Sequence, residues 1–365
     1  MNAALGLQPR ASAARKGAAA SQPRLALLGT GTVGAAFVSR YRMLQERNQR
    51  LPRFAWLANS RTVLGTGAAL EAALAQAVAA PARATALQGW AEAEALREGD
   101  IVVDATASDL VANWHPEWLA RGVNVVTANK LGHGGLLARS QAISEAQAAS
   151  GARYGDAATV GAGLPVLRSL RALVAGGDRI HAVEGVLSGS MAWLFHHFDG
   201  RQPFSALVAQ AADAGYTEPD PRVDLSGEDV RRKLLVLARA AGLPLEIRQV
   251  QVESLVPGAL AAADAASVRQ ALALLDAPLD ARLQDARARG GHLRFVGRFD
   301  AQGAQVRVQV LPADPPLCAG SGTDNRVAIS SDRDTARPRL IQGPGAGAQV
   351  TAAALLDDVL RIGAG

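Results

Sequence analysis

One short stretch of this chain combines five carboxylates with a lysine: GYTEPDPRVDLSGEDVRRK, residues 215–233. Lysine is rare here, because of 38 basic residues only Lys16, Lys130 and Lys233 are lysines. Arginine keeps its proton at any working pH, whereas the pKa of a lysine can be tuned so that it releases one. Lys130 and Lys233 are therefore candidates for proton transfer, although a codon bias toward arginine would also leave few lysines.

The second half of this stretch predicts a helix that carries two charged side chains on one face. Ser226 is a good N-cap, with Asp229 at the N3 position of a capping box, and the helix is expected to end near Gly242. Asp229 and Lys233 are four residues apart and therefore project together. An ordinary solvated ion pair would have the same spacing.

The first half of the stretch predicts a rigid, non-helical loop. Pro219 and Pro221 force extended or turn geometry, so they would hold Glu218 and Asp220 in place ahead of the helix. Carboxylates beside an ammonium group suit an amine-bearing substrate and proton transfer.

A glycine motif near the start of the chain predicts a nucleotide site. Gly29, Gly31 and Gly34 form G-x-G-x-x-G between an apolar run and a helical pattern. The first glycine permits a tight turn, the second lets backbone approach a pyrophosphate, and the third lets the helix pack on the sheet. The alternative is a glycine-rich turn with a packing role only.

The end of the next apolar run predicts which dinucleotide is bound. NAD enzymes usually carry an acidic residue there, whereas this chain has Asn59, Ser60 and Arg61. Arg61 suits a 2′-phosphate, so NADP is preferred and NAD remains possible; an ordinary surface arginine is the alternative. Thr106 follows a later strand, at the edge where ligands bind in such sheets.

The order of apolar and helical patterns predicts an α/β fold. Apolar runs at 25–28, 54–58, 101–107 and 123–130 alternate with helical stretches, which indicates a Rossmann-type doubly wound parallel sheet. Beyond residue 155, strands are predicted within 179–189, 292–299, 304–311 and 338–342. Long helices are predicted at 227–241 and 266–288, so the second part is an α+β domain.

Composition excludes several classes of partner. The net charge of +5 arises mostly from the acid-free segment 1–24, so the remaining chain shows no basic face for nucleic acid. No apolar run is long enough to span a membrane. A single cysteine, Cys318, excludes an internal disulfide and favours a cytoplasmic protein. His115 and His133 are expected on the surface or in loops.

Five motifs resemble those of homoserine dehydrogenase, in order and over about residues 25–365. They are VVTANK (125–130), VGAGLPV (160–166), GVLSGSMAWLF (185–195), the stretch from residue 215 onward, and GPGAGAQVTA (343–352). The resemblance is to the dehydrogenase module of bifunctional aspartokinase–homoserine dehydrogenases. We expect neither the kinase half nor a regulatory ACT domain.

The resemblance implies NADP-dependent, reversible reduction of L-aspartate 4-semialdehyde to L-homoserine. Lys130 and Lys233 would be the two catalytic lysines; we favour Lys233 as the proton donor, but the motifs leave this open. The implied substrate site consists of Ser188, Gly189, Ser190, Glu218, Asp224 and Asp229. The implied cofactor site consists of Gly29, Gly31, Thr32, Val33, Gly34, Asn59, Ser60, Arg61, Thr106, Lys130, Gly345 and Gly347.

The resemblance also implies a monovalent cation, Na⁺ or K⁺, held by backbone carbonyls. The matching positions are Ala157, Val160, Ala162 and Leu164. The family often has an acidic residue where this chain has Ala157, and here Asp156 stands beside it.

Four segments are predicted, and the second domain is expected to form a homodimer. They are a disordered basic extension (1–23), an NADP-binding domain (24–155), a substrate-binding and dimerisation domain (156–335), and a turn and helix that return to the nucleotide-binding domain (336–365). A transit peptide is an alternative for the extension. The alternative functions are a non-catalytic NADP-binding sensor and another amino-acid dehydrogenase.

Overall fold

The fold is built on two six-stranded sheets. The computed structural model describes residues 22–67, 69–82, 94–313, 316–318 and 322–364. The predicted basic extension therefore lies outside the described residues, apart from its last two. Among the described residues, no helix combines the length and apolarity needed to cross a membrane.

The first sheet has the parallel order expected of a dinucleotide-binding domain. Its strands are β1 (Arg24–Leu28), β2 (Arg53–Ala58), β3 (Val63–Gly65), β4 (Ile101–Asp104), β5 (Asn124–Thr127) and β6 (Tyr154–Gly155). They lie in the order β3-β2-β1-β4-β5-β6, and only β3 is antiparallel to its neighbour. The predicted Rossmann-type sheet is confirmed; the short edge strand β3 was not predicted.

Helices cover both faces of the first sheet. They are α1 (Thr32–Glu46), α2 (Leu70–Ala79), α3 (Asp109–Ala120), α4 (Leu131–Gly134) and α5 (Leu137–Ser150). Leu25 and Leu27 of β1 pack with Phe37 of α1, whereas Leu28 packs on the other face with Trp118 of α3. Because both faces are buried, these strands read as continuous apolar runs.

The second sheet is mostly antiparallel. Its strands are β7 (Ile180–Val186), β8 (Val250–Val252), β9 (Gly291–Asp300), β10 (Gly303–Pro312), β11 (Asp324–Ser331) and β12 (Arg339–Pro344). They lie in the order β12-β11-β7-β9-β10-β8, with β8 parallel to β10. The four predicted strands are present, and β8 and β11 are additional.

Helices pack against one face of this sheet and return the chain to the first. They are α6 (Val166–Ala175), α7 (Gly189–His197), α8 (Phe204–Asp213), α9 (Arg222–Leu225), α10 (Glu228–Ala240), α11 (Gly258–Ala261), α12 (Val268–Ala271), α13 (Asp276–Ala288) and α14 (Ala348–Gly363). Three short 3₁₀ helices lie at Ala157–Thr159, Ile247–Gln249 and Leu272–Leu275. The core between β9 and α10 includes Phe295 and Leu234.

The predicted long helix over 266–288 is divided in the structure. It consists of α12, a 3₁₀ turn and α13. Pro278 lies in the first turn of α13, where a missing backbone N–H costs no helical hydrogen bond.

The C-terminal helix packs against the core on one face of the first sheet. Leu355, Leu356 and Val359 of α14 share a core with Leu25 and Phe37. Strand β12 precedes this return and belongs to the second sheet. The predicted borders at 155/156 and 335/336 stay predictions.

The predicted capping box at Ser226 is wrong. Ser226 follows the short helix α9 in helical conformation, and the N-cap of α10 is Gly227, with φ of 76°. A left-handed residue is needed to reverse the chain between the two helices, and glycine adopts this conformation without strain. Asp229 therefore has no capping role, and its carboxylate is directed to two lysines.

Candidate active site

The two candidate lysines come from different halves of the molecule and meet at one carboxylate. Lys130 follows β5 and is the N-cap of α4, whereas Lys233 lies on α10. Asp229 Oδ1 is 3.3 Å from the Lys130 ammonium, and its Oδ2 is 2.7 Å from the Lys233 ammonium. The structure thus brings together both predicted catalytic residues and one predicted substrate ligand.

A close helix contact makes this meeting possible. Gly134 of α4 lies directly on α10, since a Cβ at this position would be 2.6 Å from the carbonyl oxygen of Arg232. Arg239 of α10 reinforces the contact by donating to the carbonyls of His133 and Gly135, at 2.5 and 2.8 Å. A larger residue at 134 would separate the helices that carry the two lysines.

Burial tunes the charges at this centre. Lys233 is only 7% exposed, and desolvation lowers its pKa below the ordinary lysine value, although Asp229 acts in the opposite direction. Burial alone would raise the pKa of Asp229, but the ammonium groups of Lys233 and Lys130 outweigh it and hold that pKa below its usual range. A lysine with a lowered pKa releases a proton more readily near neutral pH.

Lys233 has one N–H available for a bound molecule. Its ammonium donates to the carbonyl of Leu187 at 2.7 Å and to Asp229. An ammonium group has three N–H donors, so one of them has no partner among the residues that the structure describes.

The predicted substrate side is a chain of hydrogen bonds that starts next to Leu187. Ser188 is the N-cap of α7, and its hydroxyl lies 2.9 Å from that of Ser190. Ser190 donates to Asp224 at 2.7 Å, and the other Asp224 oxygen accepts the backbone N–H of Glu218 at 2.8 Å. Burial raises the pKa of Asp224.

Two acids of the predicted loop do not enter this centre. The Glu218 side chain is exposed and makes no hydrogen bond or ion pair with the described residues. Asp220 is paired with Arg222 at 2.7 Å, and Arg222 also donates to the carbonyl of Ala263. Asp220 therefore holds the loop in place.

The glycine loop is shaped for close backbone approach. A Cβ on Gly34 would collide with the carbonyl oxygen of Gly29, so α1 packs on the loop itself. Gly29 has φ of 94° and faces the carbonyl of Ala105. Gly31 has nothing within 4 Å of a Cβ position, which leaves open space beside the N-terminus of α1. The turn at Gly29 and the close packing at Gly34 match two of the roles predicted from the motif, and the approach of Gly31 to a pyrophosphate stays a prediction.

A cavity of about 610 Å³ opens at the carboxyl ends of β1, β2 and β4. This volume lies within the usual range of small-molecule sites. Residues predicted to bind cofactor make up much of its lining: Gly29, Gly31, Asn59, Ser60, Arg61 and Thr106. The space beside Gly31 and the N–H groups at the start of α1 fit a dinucleotide pyrophosphate.

The side chains of Asn59 and Arg61 differ in the hydrogen bonds that they make. The Asn59 amide donates to the Thr30 hydroxyl and the Ala77 carbonyl, and its oxygen accepts the backbone N–H groups of Arg61 and Thr62. All four of its hydrogen-bonding positions are used, so its side chain holds the loop. The Arg61 guanidinium has no hydrogen-bond or ion-pair partner in the described part of the chain.

The other predicted cofactor residues lie outside the lining of this cavity. Thr32 and Val33 form the first turn of α1, and Lys130 is engaged with Asp229. Gly345 packs against the side chain of Asn325, and Gly347 is the N-cap of α14 with φ of 120°.

The predicted cation loop has unusual backbone geometry. Ala162 has φ of 46°, a left-handed conformation that is uncommon for alanine. The N–H of Val166 donates to the carbonyl of Leu164, and the N–H of Leu164 donates to the carbonyl of Gly161. Val160 and Ala162 take part in neither of these two bonds. Carbonyl oxygens are suitable ligands for a hard cation. Asp156 is already neutralised by Arg171, at 2.5 Å, so it is not available to such an ion.

A buried polar network was missed by the sequence analysis, and it corrects the expectation for His115. His115 and Asp104 are fully buried, and His115 Nε2 is 3.0 Å from Asp104. The Tyr154 hydroxyl lies 2.9 Å from His115 Nδ1, and burial raises the pKa of Tyr154 well above its usual range. His133, also predicted at the surface, is half-buried and bonded to Ser140.

Asp104 connects this network to the two ligand-facing segments of the sheet edge. One carboxylate oxygen accepts the Thr106 backbone N–H at 2.8 Å and its hydroxyl at 2.6 Å. The other accepts the Asn129 amide at 3.0 Å, and Asn129 immediately precedes Lys130. A carboxylate at the end of a buried strand was visible in the sequence, but its partners were not.

Comparison with known proteins gives a consistent family assignment. The family profile described as "Homoserine dehydrogenase" matches residues 165–360, and that described as "Homoserine dehydrogenase, NAD binding domain" matches residues 29–155. A homoserine dehydrogenase of Paracoccidioides brasiliensis is 39% identical over 274 residues, which cover 72% of this chain and 74% of that protein. The chain belongs to the homoserine dehydrogenase family.

Two further relatives extend the comparison within the homoserine dehydrogenase family. A maize bifunctional aspartokinase/homoserine dehydrogenase is 43% identical over 265 residues, which cover 72% of this chain but only 29% of the maize protein. The solved structure of a putative homoserine dehydrogenase from Archaeoglobus fulgidus superposes with a TM-score of 0.75 at 26% identity, covering 94% of this chain and all of the other. The predicted resemblance and fold are therefore confirmed.

Gly31 and Gly34 of the glycine loop give a matched pair of substitutions. Gly34→Ala should destabilise the protein by about 1–3 kcal/mol, since its methyl group collides with backbone. Gly31→Ala should leave the melting temperature unchanged and weaken NADPH binding by about tenfold or more, because its methyl group occupies the space left for the pyrophosphate. Thermal unfolding and NADPH fluorescence titration measure both. Wild-type NADPH affinity in Gly31→Ala would contradict the placement of the pyrophosphate.

The Asp104 network should be important for stability. Asp104→Asn places an N–H donor against groups that already donate, so the free energy of unfolding should fall by about 1–3 kcal/mol in urea denaturation. Asp213→Asn is the control, because it breaks an exposed ion pair with Arg269. Equal stability of the two variants would show that the Asp104 network contributes no more than an exposed ion pair.

Proposed function

We propose that this chain is an NADP-preferring homoserine dehydrogenase that reversibly reduces L-aspartate 4-semialdehyde to L-homoserine. The observation that carries the proposal is the carboxylate of Asp229 between the ammonium groups of Lys130 and Lys233. Family membership supports the reaction class. The chain spans 29% of the length of the maize bifunctional relative.

Lys233 is the proposed proton donor. When bound, NADPH supplies the hydride that the aldehyde carbon accepts. As the carbonyl oxygen gains negative charge, the third N–H of Lys233 protonates it: one N–H bond breaks, one O–H bond forms, and the lysine becomes neutral. In the reverse direction the neutral amine removes the hydroxyl proton. The lowered pKa of Lys233 supports this role, since the neutral form is reached at lower pH than for an ordinary lysine.

Asp229 and Lys130 have supporting roles in this mechanism. Asp229 keeps Lys233 oriented, and Lys130 provides a second positive charge near the reacting oxygen. The substrate ammonium group is assigned to the acidic side, where Asp224 is hydrogen-bonded to Ser190 and, through it, linked to Ser188.

The cavity beside the glycine loop is the proposed site of the dinucleotide. Gly29, Gly31 and the start of α1 would hold the pyrophosphate, and Thr106 would line the nicotinamide side. Arg61 would meet the 2′-phosphate, which is the basis for preferring NADP over NAD. Gly345 and Gly347 are assigned to the nicotinamide ribose by the family motif alone.

The proposal has three further parts: a bound cation, a homodimer and a cellular location. A monovalent cation would be held by the carbonyls of Ala157, Val160, Ala162 and Leu164, supported by the backbone geometry at Ala162. A homodimer would form through the second domain. A cytoplasmic location is supported by the single cysteine, Cys318.

The proton-transfer role of Lys233 can be tested by homoserine oxidation, followed as NADPH absorbance at 340 nm. Lys233→Ala should lower kcat by about 10²-fold or more, as expected when a general acid–base group is removed. Arg232→Ala, an exposed neighbour on the same helix, is the control and should retain activity. In the wild type, oxidation should rise with pH as Lys233 loses its proton.

Each outcome of this assay separates the alternatives. Similar rates for Lys233→Ala and wild type would move proton transfer to Lys130 or water. An inactive wild type that still binds NADPH would favour a non-catalytic sensor, or another amino-acid dehydrogenase if a different substrate is oxidised.

The role of Arg61 predicts a change in cofactor selectivity. Arg61→Ala should raise the KM for NADP by about tenfold or more, because a charge-assisted phosphate contact is lost. The KM for NAD serves as the control and should change little. A parallel loss with both cofactors would contradict the proposed 2′-phosphate contact.

A further inference from the structure

Asn325 lies at the proposed reaction centre, although no motif drew attention to it. It is the second residue of β11 and is fully buried. A Cβ on Gly345 would overlap its carboxamide, so the GPGAG turn closes directly over Asn325. Gly189, on the substrate side, packs against Thr323, two residues earlier in the chain.

Asn325 shares a hydrogen-bond acceptor with Lys233. Its Nδ2 donates to the carbonyl oxygen of Leu187 at 3.2 Å, and the Lys233 ammonium donates to the same oxygen at 2.7 Å. Ser188, the first residue of the substrate side, follows Leu187 in the chain. The Asn325 carboxamide is therefore a neighbour of the proposed proton donor.

The other end of the carboxamide is unsatisfied. Asn325 Oδ1 is buried and has no hydrogen-bond partner among the described residues. The opposite orientation of the amide would direct this oxygen toward the Leu187 carbonyl oxygen, so the contact to Leu187 fixes the orientation. A buried acceptor without a partner is rare in folded proteins and costs free energy that a packed apolar side chain would not.

We propose that Asn325 Oδ1 is a ligand-binding acceptor that pairs with an N–H group of a molecule bound at the active site. Two such donors are expected there: the ammonium group of the amino-acid substrate and the carboxamide of the nicotinamide ring. Both belong to the proposed reaction, so the inference rests on the proposed function. Asn325 would orient that ligand next to Lys233.

The test uses Asn325→Leu and Asn325→Asp in the full chain. Leucine removes the acceptor at similar size, whereas aspartate keeps an acceptor and loses the donor to Leu187. Ser331→Ala is the matched control, because Ser331 is a fully buried residue of the same strand that loses one hydrogen bond, to Asp178. Melting temperature, NADPH affinity by fluorescence and the KM for L-homoserine are measured for each.

Asn325→Leu should keep or raise the melting temperature of the ligand-free protein, since an unsatisfied buried group is removed. The same substitution should weaken the binding of one of the two ligands, NADPH or L-homoserine, by about tenfold or more, because a hydrogen bond to that ligand is lost. A higher dissociation constant for NADPH with unchanged homoserine KM identifies the nicotinamide carboxamide. A higher homoserine KM with unchanged NADPH affinity identifies the substrate ammonium. Asn325→Asp and Ser331→Ala should stay within about threefold of the wild type for that ligand.

Two results would overturn the inference. One is NADPH affinity and homoserine KM both within about twofold of the wild type in Asn325→Leu. The other is a tenfold weaker NADPH affinity or a tenfold higher homoserine KM in Asn325→Asp, which retains an acceptor. This second result decides the question if Asn325→Leu does not fold. If wild-type protein binds NADPH but does not oxidise homoserine, the proposed function fails, while the NADPH titrations still test whether Asn325 accepts from the cofactor.

Discussion

The contact on which this molecule depends is the carboxylate of Asp229 shared by two ammonium groups. Lys130 follows a strand of the parallel sheet, and Lys233 lies on a helix that packs on the antiparallel sheet, so the same contact assembles the site and joins the two halves. Two like charges do not stay close in a partly buried place without an opposite charge between them. The short helix α4, the missing side chain at Gly134 and the carbonyl contacts of Arg239 all serve to keep this distance short.

Buried polar groups hold the centre from both sides. On the nucleotide side, Asp104 accepts hydrogen bonds from Thr106, His115 and Asn129, which fixes the chain immediately before Lys130. On the other side, the Leu187 carbonyl fixes the end of the Lys233 side chain. Both anchors lie at or just beyond the ends of sheet strands, so the proposed reacting groups are positioned by regular secondary structure, as precise chemistry requires.

Local patterns in the sequence were sufficient for the first sheet and the glycine loop, because the chemistry of each element is contained within a few neighbouring residues. Lys130 and Lys233 were predicted as catalytic residues from the rarity of lysine and from the family resemblance. Neither local patterns nor the resemblance could give contacts between distant residues: His115 is buried by Tyr154, 39 residues away, and Asn325 reaches Leu187, 138 residues away. The predicted capping box at Ser226 was wrong for a related reason. Ser226 directly follows the short helix α9, so this residue has helical backbone geometry and is not the N-cap of α10. Strand β11 was missed because five of its eight residues, DNRVAISS, are polar, although six of the eight are buried.

Three sets of polar groups that lack a partner among the described residues lie where the proposed ligands would bind. The start of α1 has neither a capping side chain nor an acidic residue in its first turn, although N–H groups there need partners. Lys233 retains an unused donor, and Asn325 retains an unused acceptor in a fully buried place. An apolar side chain in place of Asn325 would remove the unsatisfied acceptor at no cost to the ligand-free protein. The common feature of the three sets is that a dinucleotide and an amino-acid substrate carry the complementary groups: phosphate oxygens for the helix, a reacting oxygen for the lysine, and an N–H for the asparagine. The proposed ligands would therefore complete hydrogen bonds that these groups lack among the described residues.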